Sequence, residues 1–426
     1  MKRLLTTLLV FLLCVAGFGQ SAQVREAVRA DRTLACGLDK VYCFNVPAQT
    51  PAPRGYKAFY VSSYNRHGSR YAYTSRAYSV LLEMLEEGEE SGNLTEYGSQ
   101  LLADLKPFWE ASEYKVGTLT TIGWDQQDRL AATMLANYPK VFRKGARVDA
   151  CASSSVRSVL SMSAFCVGLA KRRPRLGIYE HQGPLDIQAT APNMGRNPFR
   201  YVGPDLPNPY NETSEEFFAR RFPDYSDVLS RMFVDPSTSL GDRDAFYVFD
   251  HIYMLVAGQN SLPEDCRVNV SDIFTDEEFA LMWEVDNYER FREYYNYITS
   301  CCSVYDDIIS KADERIAFGE RGADLRFGHD HVMMTLLMIG DIDGFGQFPE
   351  NQDDLISVWQ TYRSPMATNL QFVFYKSRKT GGDILVKILL NGEEVRFGSA
   401  SPYVGPYYRW EDIKTFYQQR RAEFVL

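Results

Sequence analysis

The sequence predicts an α/β fold interrupted by a mainly helical segment. Three observations carry this. Apolar strand-like runs at 57–62, 147–151 and 324–328 are each followed by a stretch with helical apolar spacing. Each of these strands runs into charged or imidazole side chains. Between about Arg172 and Gly319 the texture changes, with proline, asparagine and glycine gathered in Pro184–Asn211.

The 426 residues exceed what one compact domain usually holds, so two domains or one large insertion is expected. Apolar residues make up 45%, enough for a substantial core, and no repeat or low-complexity tract stands out. The net charge of −9 argues against nucleic acid or an anionic membrane as the main partner, yet leaves room for a small basic pocket. Lys2 and Arg3 precede an apolar run from Leu4 to Gly17, with Gly17, Gly19 or Ala22 as small exit residues. That pattern predicts a secretory signal peptide over 1–19 and an exported protein, periplasmic or extracellular. The run is short for a membrane anchor, and Leu13 before Cys14 is large for a lipid-attachment signal. Seven cysteines follow Cys14: Cys36, Cys43, Cys151, Cys166, Cys266, Cys301 and Cys302. In an oxidising compartment Cys36 and Cys43 are a candidate disulfide, and the odd count leaves one thiol over. Their spacing does not match a zinc site.

After the first strand, 76–87 reads as a helix with Leu81, Leu82 and Leu85 on one face; 97–110 and 121–142 read as two more. The strand at 147–151 leads into Ser153-Ser154-Ser155, able to cap a helix that continues through Val156, Val159, Leu160 and Val167. Aromatic-rich helices are expected over 214–232 and 275–300. The third strand gives way to His329-Asp330-His331 and an apolar helix. Leu370–Tyr375 and Ile384–Leu390, with Gly381-Gly382 between, read as a hairpin, and a helix over 410–421 closes the chain.

Ligands of such sheets bind beyond the carboxyl ends of strands. Those ends carry Arg66-His67-Gly68-Ser69-Arg70, Arg157 and His329-Asp330. Guanidinium forks match phosphate or carboxylate oxygens, so two arginines round one imidazole make an anion site with a nucleophile inside it. Gly68 would let the backbone pass close to the ligand. Arg157, in the first turn of its helix, is unfavourable against the helix dipole unless an anion sits there too. Asp330, at a helix start, would stay ionised until a bound phosphate pushed its pKa up, and could then protonate a leaving oxygen. Singly, each has a plain alternative: a solvated arginine, a core histidine, a capping aspartate. Together, at three strand exits, they point to one site.

These residues resemble the signature of the histidine acid phosphatases, branch 2 of the histidine phosphatase superfamily. Leu119-Thr120-Thr121-Ile122-Gly123 and the run Ser153–Phe165 fit as well, and the resemblance covers about 56–166 and 324–426. The Arg-His-Gly-Ser-Arg-Tyr string and Pro365–Leu370 are most similar to multiple inositol polyphosphate phosphatases and phytases. One departure is His329-Asp330-His331, where that group usually carries His-Ala-Glu; the donor is therefore assigned to Asp330. A second is Tyr71-Ala72-Tyr73-Thr74, so no role passes to Thr74. The resemblance implies a mixed-sheet, phosphoglycerate-mutase-like core over 20–172 and 320–426, with a helical cap over 173–319. It implies His67 as the nucleophile that becomes a phosphohistidine. Arg66, Arg70, Arg157 and His329 would hold the phosphoryl group, with Asp330 as proton donor. Neither metal nor cofactor is needed. The partner would be a small phosphate ester, an inositol polyphosphate first, with neither nucleic acid nor membrane after signal cleavage.

Two alternatives stay open. A broad acid or sugar phosphatase would share the site. A phytate pocket should be rimmed by further cations, for which Arg196, Arg200, Arg220 and Arg221 are candidates. A non-catalytic phosphate- or metal-binding module could use His329 and His331 as ligands, though no third ligand has convincing spacing. His181 and His251 are read as structural. Asn93, Asn211 and Asn269 head glycosylation sequons.

Overall fold

A computed structural model describes residues 19–193, 206–379 and 381–424. The expected leader, apart from Gly19, lies outside the described residues, as do Arg196 and Arg200. One mixed sheet organises the chain. Its strands are β1 (Tyr56–Arg66), β2 (Arg147–Ala152), β3 (Gly177–His181), β4 (Gly322–Gly328), β5 (Asn369–Ser377), β6 (Leu385–Leu390), β7 (Glu393–Glu394) and β8 (Tyr407–Arg409). The order is β3-β2-β4-β1-β5-β6-β7, with β8 also on β6. The first four in that order run parallel, and β5 turns antiparallel against β1. Parallel strands are covered on both faces, and β4 is buried along its whole length.

The long helices are α1 (Arg76–Ser91), α2 (Glu96–Ser112), α3 (Thr121–Asn137), α4 (Val156–Arg172), α5 (Ala245–Gly258), α6 (Asp276–Tyr295), α7 (Ile298–Ala317), α8 (Asp330–Ile339) and α9 (Trp410–Phe424). Local chemistry starts several of them. The Thr95 hydroxyl accepts from Gly98 N at α2 and the Thr120 hydroxyl from Gly123 N at α3. Thr275 and Glu278 form a capping box at α6. Alternation along β1 divides the core in two. Tyr60 and Tyr64 face a cluster built by α1, α2 and α5–α8. Val61 faces a smaller one from α3 and α4, with Val148 and Leu325.

Register positions the functional edge. Arg66 pairs with Gly328 and Ala152 with Phe327, so the carboxyl ends of β1, β2 and β4 stop level. The loop before β5 arrives at the same edge, where Asn65 faces Asn369 and His67 O accepts from Ala367 N.

The expected α/β class and the β5–β6 hairpin are observed. Several elements differ. Expected helix 214–232 is two pieces, Ser214–Arg221 and Ser226–Met232, because Pro223 cannot continue a helix. Expected helix 121–142 stops at Asn137, before Tyr138-Pro139. The stretch 173–319 opens with β3, a strand of the sheet, and closes with α7, whose Arg315 binds Asp324 of β4. Its helices share one hydrophobic cluster with α1 and α8. Cys36 and Cys43 are not bonded: Cys36 is buried, Cys43 is exposed, and all seven described cysteines are free.

Candidate active site

His67, Arg70, Arg157, His329 and Asp330 line one cleft with ≈ 730 Å³ of unfilled space. His67 follows the last residue of β1, and its amide donates to Gly328 O at 3.0 Å. Its Nδ1 lies 2.9 Å from the Gly68 carbonyl oxygen. A carbonyl only accepts, so Nδ1 carries the proton and Nε2 keeps a lone pair. Burial, then the charges of Arg157, Arg66 and Arg70, push the His67 pKa well below its ordinary value, so the ring is neutral.

Arg70 and Arg157 line the cleft together with this imidazole. Arg70 pairs with Asp39 at 3.5 Å, and its guanidinium stands 5.4 Å from the Tyr73 ring centre. Burial and the like charge of Arg70 pull Arg157 down to about 10, with Asp330 opposing the shift. Arg66 is fully buried and is not among the residues that line the cleft; its Nη1 donates to Leu38 O and Ser364 O and its Nη2 to Asp330 Oδ2 at 3.2 Å. The Nε atoms of Arg66, Arg70 and Arg157 are all buried without a hydrogen-bond partner. Three unsatisfied guanidinium N–H groups round one imidazole suit an anion that would accept from them.

Asp330 is the first residue of α8. Burial pushes its pKa up, but Arg66, then His331, His67 and Arg70, outweigh that and hold it well below the usual carboxylate range. Without a ligand it is ionised, as a helix start and a neighbouring guanidinium dictate. His329 Nδ1 accepts from Arg157 Nη2 at 3.4 Å, so its Nε2–H donates to Ser153 Oγ at 2.9 Å. Burial, then His331 and Arg157, lower its pKa well below the ordinary value.

The expected serine cap takes another form. Ser155 is the residue before α4 but makes no side-chain cap bond; its hydroxyl lies 3.4 Å from His329 Nε2. Gly68 is needed for a different approach from the one expected. A Cβ there would meet Gly123 O at 2.4 Å, so the close neighbour is the backbone at the start of α3. Sequence reasoning missed the rest of the lining: Asp39, Tyr253, Asp286, Arg290, Glu293 and Tyr294. The i, i+4, i+7 spacing of Asp286, Arg290 and Glu293 was a faint signal of a charged face on α6.

Other candidates lie elsewhere. Arg220 is tied to Glu212 and Asp353, and Arg221 to Glu284 and Asp353. His181 pairs with Asp186, and His251 Nδ1 donates to Tyr247 O. The His329 and His331 rings stack at 5.2 Å and 11°, an arrangement in which their in-plane lone pairs do not converge on one ion. Among the described residues, the one group of three close potential metal ligands is Asp250, Asp286 and Glu289, which contains neither histidine.

No family model matches the chain, and no curated protein does. Solved structures share the fold. The multiple inositol polyphosphate phosphatase of Bifidobacterium longum, in complex with inositol hexasulfate, has a TM-score of 0.72 at 18% identity, over 89% of this chain and 96% of that one. The phytase of D. castellii has a TM-score of 0.63 at 15% identity, over 93% of this chain and 85% of that one. The Hafnia alvei phytase in complex with tartrate gives 0.52 at 12%, over 87% and 98%. The chain thus has the fold that the sequence resemblance implied.

Proposed function

We propose that the chain is a phosphomonoesterase that removes phosphate from inositol polyphosphates through a phosphohistidine on His67. The observation that carries this reading is the state of His67. It is neutral, its Nδ1–H is spent on the Gly68 carbonyl, and it lines a cleft with two guanidinium groups whose Nε atoms lack partners. Nε2 attacks phosphorus, the ester P–O bond breaks, and Asp330 gives its proton to the leaving oxygen. Water then attacks phosphorus, Asp330 takes a proton from it, and the P–N bond breaks. Arg70 and Arg157 donate to the phosphoryl oxygens, His329 orients Arg157 through its Nδ1, and buried Arg66 adds its charge. Their charge offsets the charge of the transition state. Asp330 starts ionised, so the proton arrives with the substrate: a bound phosphate raises the Asp330 pKa and brings a proton when it binds as the monoanion.

The helices between β3 and β4 act in this reading as the cap, since α5 and α6 supply Tyr253, Asp286 and Arg290 to the leaving-group side. The reading includes export, supported by Lys2-Arg3 and the apolar run after them. The acids in the cleft lining favour a second reading, a phosphomonoesterase of broader specificity.

Phosphate release from phytate and glucose 1-phosphate, by the unaltered protein, His67→Ala and Asp330→Asn, tests both. His67→Ala should be inert. Asp330→Asn should lose about 10²–10⁴-fold in kcat, most on poor leaving groups. Full activity in His67→Ala would end the proposal, and preference for glucose 1-phosphate at every pH would favour the second reading.

A further inference from the structure

The net charge of −9 hides an uneven distribution. The amino ends of the parallel strands form the edge of the sheet opposite the cleft, and cations gather there. Lys57 is the second residue of β1, and Arg147 opens β2 beside Gly322 of β4. Lys140, Arg143 and Lys144 are exposed in the connection from α3 to β2. Arg321 precedes β4, and Arg378 follows β5, its amide donating to Gly55 O just before β1. Arg143, Lys144, Arg147 and Arg321 line one depression, and Arg321 Nη1 donates to Lys140 O. The charge of Arg378 first, and behind it those of Lys140, Arg143 and Arg321, lower the Lys57 pKa, so the cluster is close enough to repel itself.

Little within the chain offsets this charge. Among the described residues, Lys57, Lys140, Arg143, Lys144, Arg321 and Arg378 have no ion-pair partner. The nearby carboxylates are taken by other arginines: Asp149 by Arg147 and Arg315, Glu320 by Arg315, and Asp383 by Arg409. Two exposed aromatic rings stand at the rim. Phe318 is 74% exposed and precedes Gly319, which lines the depression. Tyr179 of β3 is 56% exposed, with the Arg147 guanidinium 5.2 Å from its ring centre. Its ring leans back towards the amino end of the strand, where a Cβ on Gly177 would meet it at 3.3 Å.

We propose that this end of the molecule is a docking surface for an anionic phospholipid bilayer. The cations meet the headgroup phosphates, and Phe318 and Tyr179 enter the headgroup boundary, where aromatic rings partition favourably. A soluble polyanion would satisfy the cations but leave both rings in water, so the rings decide for the lipid surface. Bulk charge argues against such a partner only when charge is evenly spread, and here it is not. The extended chain from Lys57 to His67 covers about 30 Å, several times the Debye length at physiological salt. A docked molecule therefore keeps its cleft open to solution on the far side. This inference does not depend on what the cleft does.

Co-sedimentation with phosphatidylcholine vesicles, with and without about one third phosphatidylglycerol, tests it. The protein as exported is used, lacking the leader over 1–19, whose apolar run would itself enter a bilayer. Binding should require phosphatidylglycerol and fall about tenfold or more between about 0.05 and about 0.5 M salt. The combined variant Lys140→Glu, Arg143→Glu and Lys144→Glu should bind about tenfold or more weakly, and Phe318→Ser about threefold or more weakly. Lys57→Glu with Arg378→Glu, on other elements, should also lose about tenfold, which guards against a folding failure in the first variant. No binding to the anionic vesicles at low salt, equal binding to pure phosphatidylcholine, or full binding by either charge-reversed variant or by Phe318→Ser would overturn the inference. So would tighter binding to soluble polyphosphate chains that Phe318→Ser leaves unchanged, the result expected of a plain polyanion site.

Discussion

His331 shows how far one side chain can be taken from its charge. Its ring lies against Tyr294, Tyr297 and His329, and its Nε2 is buried without a partner. Burial first, then Arg157 and Arg66, lower its pKa, against the pull of Asp330 and Glu293. The unfolded chain therefore binds a proton below about pH 6.5 that the folded chain does not, so this residue costs stability as pH falls. Denaturant unfolding between about pH 5 and 7.5 should show the unaltered protein losing up to about 1.4 kcal/mol per pH unit relative to His331→Gln. Parallel profiles would show that His331 titrates alike in both states. At this scale the sequence was most legible where a residue sits at a strand exit. His67, Arg70, Arg157, His329 and Asp330 were all named from it, and they share one cleft. Ser153 and Ser155 were read as caps because capping is what serine runs before helices usually do; their contact with His329 crosses more than 170 residues of chain. Arg290 and its carboxylates look in sequence like any solvated helix face.

The element that matters most is the set of level strand ends, and Tyr64 ties it to the site. Its hydroxyl donates to Thr190 O at 2.6 Å and accepts from His329 N at 3.0 Å. Gly328 makes room, since a Cβ there would meet that hydroxyl at 2.0 Å. Tyr64→Phe should cost about 1–3 kcal/mol in denaturant unfolding, because it leaves a buried N–H and a buried carbonyl unpaired. It should also lower kcat by freeing His329; unchanged stability and kcat would remove Tyr64 from the account. Long elements with clear periodicity were legible: β1, β2, β4 and the helices beside them. The α5 helix, Ala245–Gly258, was not, since it is apolar on nearly every side and shows no amphipathic stripe. The short edge strand β3, largely exposed, carried no buried alternation to read.

Over the whole molecule, one sheet with a single ligand edge makes residues from 36 to 331 neighbours. The strand order was not legible from periodicity, because pairing depends on contacts that distant segments choose; the family resemblance implied only that the sheet is mixed. The cysteine pairing failed for a related reason: Cys36 packs into the core while its neighbour Cys43 points outward. Among the described residues no helix is long and apolar enough to cross a membrane. In the proposed mechanism guanidinium groups supply the positive charge that metal ions supply in metal-dependent phosphatases. Excess chelator should therefore leave initial rates within about twofold, and an abolished rate restored by a divalent cation would contradict this. The central claim is that His67 is the atom-bearing nucleophile. Rapid quenching of the protein with a labelled phosphate ester, followed by peptide mapping, tests it most directly. The account predicts an acid-labile, base-stable phosphoryl group on His67, absent from His67→Ala. Turnover with no label on His67, or with label on another residue, would contradict it.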